Sequence, residues 1–278
     1  MKKTYYSVFA AIFALLTLFV ACDNFNEDEF LIGIVGETSE SSPITNTTSK
    51  QRVLLEDYTG WRCNNCPQAA LAAENLKAQY GDALVLMAVH ATAFAEPLAL
   101  NGNLDLRTQY GERWAREFNV TALPAGLVNR VKENGAFTIA YEDWATKIEQ
   151  RKNRPHVLDI NLGASLNGNN KIIVSTENIF LQDVDFPTLI NVLVLESGIV
   201  GMQLANPIIA NYVFDHVVRT NGRVDFALTS EPTRSGEMVS KNYFINVSQD
   251  WDLSKLKVVA FVTNANTKEV IQVNEVDL

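Results

Sequence analysis

Residues 53–67 read V-L-L-E-D-Y-T-G-W-R-C-N-N-C-P, and this stretch decides the fold. It is an apolar run, a turn holding Gly60, and two cysteines two residues apart, closed by Pro67. The next run, A-A-L-A-A-E-N-L-K-A-Q-Y, has apolar residues at Ala69, Ala72, Ala73, Leu76 and Tyr80, the spacing of one helix face. Cys63 therefore stands where a strand hands over to a helix N-terminus. There the free backbone N–H groups and the helix dipole favour an anion, and a thiolate is one. Cys66, one turn on, can reach back and close a disulfide. Pro67 suits a first helical turn, where its missing N–H removes no bond.

Working outward, a βα rhythm runs from Gln51. Val53–Tyr58 reads as a strand and Pro67–Tyr80 as a helix stopped by Gly81. Ala83–His90 is a second strand, continuous and apolar, of the kind buried on both faces of a parallel sheet. Leu104–Phe118 reads as a helix interrupted by Gly111. Ala125–Val131 is a third strand, Asn134-Gly135 a hairpin turn to Ala136–Ala140, and Tyr141–Lys152 a closing helix. Past Arg154-Pro155 the helical period stops. Val157–Leu166, Lys171–Phe180, Leu189–Glu196, Asn211–Thr220, Arg223–Leu228, Met238–Val247, Lys255–Asn264 and Glu269–Val276 read as strands between turn signals, which predicts an antiparallel sandwich.

The net charge of −9 and the absence of a basic cluster exclude nucleic acid as a natural partner. Lys2 and Lys3 precede an apolar run, Tyr5–Val20, that ends at Ala21 and Cys22. This is a secretory signal, too short for a confident membrane span. It resembles a bacterial lipoprotein signal, with Phe19 where leucine is usual; the resemblance implies lipidation at Cys22 and a signal peptide over residues 1–21. The acidic D-N-F-N-E-D-E-F after Cys22 is similar to surface-export signals of Bacteroidetes lipoproteins. Residues 22–50, acidic and then rich in Ser and Thr, read as a tether. Export implies an oxidising compartment.

The element order, the CxxC at the first βα junction and the F-N-V-T-A-L-P segment before the hairpin together resemble the thioredoxin fold over residues 51–153. The resemblance implies a cis Pro124 facing the cysteine pair. It also implies a buried acid on the strand before the motif: Glu56 aligns with one inserted residue, and Asp57 is its rival. A solvent-exposed strand-end carboxylate is the plain reading of either. Two features depart from the family: Arg62, not an aromatic, precedes Cys63, and Asn64-Asn65 separates the cysteines. The full pattern adds N-Y-V-F-D-H-V-V-R and the tail K-L-K-V-V-A-F-V-T-N-A-N-T-K-E-V-I-Q-V-N. It resembles the Bacteroidetes twenty-eight-kilodalton outer-membrane protein family, which implies attachment to the outer membrane through Cys22.

The expected fold is thus an α/β thioredoxin-like domain (51–153) followed by an all-β antiparallel sandwich domain (154–278). The expected function is a thiol–disulfide oxidoreductase acting on protein thiols or disulfides outside the cytoplasm. Cys63 would be the nucleophile, Cys66 the resolving thiol, Pro124 the shaper of the groove and Glu56 the proton carrier. This requires the sulfurs to lie within a partner's reach. The alternative is a surface binding or adhesion lipoprotein in which Cys63–Cys66 is a structural disulfide. No cofactor is expected. His90, His156 and His216 are scattered, without metal-ligand spacing. Asp215-His216 is either a small polar site or a surface pair, and Trp61 either lines a substrate groove or packs on a neighbouring loop.

Overall fold

The computed structural model describes residues 33–220 and 224–278. The expected signal peptide, Cys22, the acidic run after it and Arg223 lie outside the described residues. In chain order come β1 (Val35–Glu37), β2 (Asn46–Thr47), β3 (Val53–Thr59), helix α1 (Cys66–Tyr80) and β4 (Leu84–His90). Helix α2 (Gln109–Glu117), β5 (Ala125–Val128) and helix α3 (Trp144–Lys152) follow. The rest is strand: β6 (Leu158–Leu166), β7 (Lys171–Phe180), β8 (Thr188–Glu196), β9 (Ile199–Gln203), β10 (Ile209–Phe214) and β11 (Val217–Val218). Then come β12 (Asp225–Thr229), β13 (Met238–Asn246), β14 (Leu256–Asn264) and β15 (Val270–Asp277).

Strand β3 pairs parallel with β4 and antiparallel with β5. Side chains alternate across a strand, so β3 serves two layers. Val53 and Leu55 pack on Ala69, Ala73 and Leu76 of α1 and on Trp144 and Ile148 of α3. Leu54 and Tyr58 face the other way, into a core with Trp114 of α2 and Phe118 just past its end. The whole of β3 is buried.

The second half is β-rich as expected, but its sandwich is not self-contained. One layer is a five-stranded sheet, β1-β13-β7-β6-β2. The other belongs to an eight-stranded mixed sheet, β15-β14-β8-β11-β4-β3-β5, with β12 added on β8. This sheet runs through both halves of the chain. The join is β11: Val217 pairs antiparallel with Glu196 of β8 and parallel with Ala88 of β4. The Ala88 N–H donates to the His216 carbonyl at 2.8 Å. An apolar strand such as β4 leaves unpaired backbone groups at its edge, and a strand from the other half satisfies some of them. Between the layers, Leu158, Ile160, Leu162 and Val174 share a core with Val192, Val194, Val258 and Ala260.

The stretch read as tether is partly bound. Strand β1 pairs with β13, and β2 with β6. Thr48 Oγ1 donates to Asp159 at 2.9 Å and accepts the Ile160 N–H at 2.8 Å. The Ser42 N–H donates to Ser175 Oγ at 2.8 Å. A Ser/Thr-rich composition suits a linker, but the same hydroxyls can anchor a strand along a sheet edge. The hairpin of β9 and β10 forms its own two-stranded ribbon. Its first strand, I-V-G-M-Q, carries no alternation that sequence reasoning could use.

Candidate functional site

Helix α1 begins at Cys66, with Asn65 as its cap and Pro67 in the first turn. Cys63 therefore lies just before the helix, in a turn where its N–H donates to the Gly60 carbonyl at 2.9 Å. The Cys66 N–H in turn donates to the Cys63 carbonyl at 3.2 Å. The two sulfurs are joined in a disulfide, with Cα atoms 5.4 Å apart. Gly60 is required by close approach: a Cβ there would stand 2.6 Å from the backbone of Phe94. The loop around Phe94 is drawn in by Arg62, whose N–H donates to the Phe94 carbonyl at 3.0 Å. The Arg62 guanidinium donates to the Ala93 carbonyl at 3.0 Å, an engagement with this loop.

The sulfurs are covered. Cys63 is 3% exposed and Cys66 2%. The expectation of a reachable pair is not met in this conformation, and the β9–β10 hairpin is tied to the turn that carries the cysteines. Gln203, itself buried, donates from Nε2 to the Cys63 carbonyl at 2.9 Å and to the Leu204 carbonyl at 3.0 Å. The Leu204 N–H donates to the Trp61 carbonyl at 2.7 Å. Trp61 packs with Leu106, Phe214 and Val217, and its indole N–H donates to the Glu96 carbonyl at 2.7 Å. Its role here is packing. No spacing pattern ties residue 203 to residue 63, so sequence reasoning had no route to this contact.

The Leu123–Pro124 bond is cis. Pro124 directly precedes β5, whose Ala125 pairs with Tyr58 near the end of β3. It thus lies at the end of the sheet from which the cysteine turn departs. Glu56 lies elsewhere: its carboxylate makes a bidentate pair with Arg130, both contacts 2.7 Å, with both side chains buried. The Arg130 guanidinium stacks on Trp114, Phe118 and Phe261, in the core on the side of β3 away from α1. Glu56 and the cysteines are not brought together.

Asp57, the next residue, lines the α1 side. It borders a cavity of 330 Å³ that also includes Pro67, Ala70, Glu74, Tyr212 and His216. Its Oδ1 is buried without a hydrogen-bond partner. Burial pushes its carboxyl up to about 8, so it holds its proton at neutral pH. Across the mouth, His216 Nε2 lies 3.0 Å from Glu74 Oε1, a contact that holds the Glu74 carboxyl below its usual value. The Asp215 carboxylate accepts the Gly198 N–H at 2.8 Å, so Asp215 and His216 act separately. His90 is buried against Phe214, ring centroids 5.2 Å apart, and burial lowers it to about 3, leaving it neutral. Among the described residues no helix is long and apolar enough to cross a membrane, and no group of His, Cys, Asp or Glu converges as a metal site.

The architecture is shared with solved structures. HBP35 of Porphyromonas gingivalis superposes with a TM-score of 0.54 at 15% identity, over 84% of this chain and 77% of that one. A protein from Agrobacterium tumefaciens superposes with a TM-score of 0.50 at 12% identity, over 82% of this chain and 95% of its own. A domain of the outer membrane lipoprotein Omp28 from Porphyromonas gingivalis is 17% identical over 45% of this chain and 90% of that domain, with a TM-score of 0.28. No curated protein sequence matches. The family model described as outer membrane protein Omp28 matches residues 112–278, a span that holds Pro124, Gln203 and the β9–β10 hairpin but begins after the cysteines. The chain belongs to the Omp28 family of outer membrane proteins.

Proposed function

We propose that this is an outer-membrane lipoprotein, anchored through Cys22, whose thioredoxin-like half carries a covered thiol–disulfide redox centre at Cys63–Cys66. The observation that carries it is Asp57. A buried, unpartnered carboxyl is expensive to keep, and this one borders the same cavity as Pro67, the residue after Cys66. In the direction of substrate oxidation, a substrate thiolate attacks Cys63 Sγ. The Sγ–Sγ bond breaks with its electron pair on Cys66 Sγ, which takes a proton from Asp57. A second substrate thiolate then attacks the substrate sulfur of the mixed disulfide and releases Cys63 as thiolate. Reduction of a substrate disulfide runs the same steps in reverse. Asp57 takes the proton role, since Glu56 is held by Arg130.

A second reading is favoured by the burial of both cysteines and the bond from the β9–β10 hairpin to their turn: a structural disulfide in a binding lipoprotein. Equilibration of the purified protein in glutathione buffers, with turnover on a dithiol or disulfide peptide, separates the two. A redox centre equilibrates at a potential above about −300 mV and turns over; a structural bond resists glutathione and does not.

A further inference from the structure

The 330 Å³ cavity between α1 and the β10–β11 segment offers more than the single proton that the disulfide chemistry draws from Asp57. Its walls are apolar: Leu55 and Leu86 from the sheet, Ala70 and Ala73 from α1. Leu71 and Val213, exposed by 63% and 48%, stand on opposite sides of it. The polar groups that line it are Asp57, Glu74, Tyr212, Asp215 and His216, with no Lys or Arg among them. Two atoms of this set lack partners: Asp57 Oδ1, in a side chain more than nine-tenths buried, and His216 Nδ1. Ligand sites have this form, an apolar concavity with a few converging polar groups.

From this we infer that the cavity is a binding site for a small amphiphilic amine, its hydrocarbon body against Leu55, Leu86 and Ala73 and its ammonium against the Asp57 carboxylate. An ammonium offers three donors to acceptors that otherwise have none, and a carboxylate pair strengthens in an apolar setting. Three acidic side chains line it, and the one basic group among them, His216, is engaged by Glu74, which favours a cation over an anion. An alcohol of the same length fills the same volume and can donate one hydrogen bond, but it forms no ion pair with a carboxylate. The inference stands apart from the redox reading, because it concerns the oxidised protein at rest.

The test is calorimetric titration of the full-length oxidised protein with hexylamine, hexanol and hexanoate. The amine is expected to bind one to one, at least tenfold more tightly than either analogue. At pH 7 Asp57 holds a proton, so pairing with an ammonium expels it. The heat should therefore depend on the ionisation enthalpy of the buffer. Glu74, Tyr212, Asp215 and His216 face the same space, so Asp57→Asn must remove both the binding and the released proton, while Glu74→Gln keeps the proton release. Ala70→Leu, which fills the cavity and leaves Asp57 in place, should also abolish binding. Equal binding of amine and hexanol, or unchanged amine binding in Asp57→Asn or Ala70→Leu, overturns the assignment. Glutathione titration of the disulfide is read separately, so the redox reading can fail without affecting this one.

Discussion

Gln203 donates its side-chain amide to the carbonyl of Cys63 at 2.9 Å, across 140 residues of sequence. This bond and the Leu204–Trp61 backbone bond hold the β9–β10 hairpin against the cysteine turn. A buried acceptor stripped of its donor costs about 1–3 kcal/mol. Gln203→Ala should therefore raise the population of the open hairpin about tenfold or more, and speed reduction of Cys63–Cys66 by a small thiol to match. Timed alkylation followed by mass spectrometry reads this directly. An unchanged reduction rate would mean that the hairpin does not control access.

The Glu56–Arg130 pair sits in the core with both side chains buried. Arg130 and Asn129 adopt left-handed backbone angles, φ 52° and 51°, which side chains other than glycine rarely hold without support. Asn129 Oδ1 accepts the Leu54 N–H at 2.7 Å, and Glu56 fixes the guanidinium beside it. Removing one partner of such a pair leaves an uncompensated buried charge, a loss of about 3–5 kcal/mol. Glu56→Ala should lower the unfolding free energy by that order in urea. A loss below about 1 kcal/mol would show that the pair is not what holds this turn.

Asp57 makes stability depend on pH in a defined direction. Its carboxyl is raised from 3.8 to about 8 by burial. Between those values the folded chain holds a proton that the unfolded chain has lost. This residue's contribution therefore falls as pH rises from about 4 to about 8, by roughly 1.4 kcal/mol per pH unit at most. Asp57→Asn lacks the term. Relative to the parent it should gain stability steadily from pH 5 to pH 8. Urea unfolding of both proteins at the two pH values checks this, and a pH-independent difference would mean that Asp57 is ionised in the fold.

Gly163 in β6 has the carbonyl of Pro43 seated on it, so that an added Cβ would come within 1.9 Å of that oxygen. Gly163→Ala should lift residues 42–47 from the edge of the sheet. Limited proteolysis should then cut between Thr38 and Lys50 markedly faster than in the parent, with the rest of the chain intact. Equal cleavage would show that this segment's attachment does not depend on the contact.

The elements that sequence reading recovered are those with strong local signals. Helix α1 had its apolar face and Gly81, and β6, β7, β8, β14 and β15 had long β-type runs bounded by turns. What it could not recover was phase. Because β3 is buried on both faces, V-L-L-E-D carries no alternation to say which side Glu56 takes. A shift of one residue exchanges Glu56 and Asp57 between the Arg130 core and the α1 cavity. Long-range closure was equally hidden. Strand β11 is two residues long, and nothing in Val217-Val218 announces a parallel pairing with Ala88. The cysteine pair was legible as a motif; the bonds its turn accepts from Gln203 and Leu204 were not.

The short seam at Val217 has a practical consequence for anyone dividing the molecule. A fragment ending near Asn153 would keep the motif but lose Phe261 from beneath Arg130 and the β11 strand from the outer side of L-V-L-M-A-V-H. Such a bare, apolar ribbon recruits whatever strand it meets, including its own copy. The N-terminal half is better regarded as a guest in its partner's sheet than as a freestanding module.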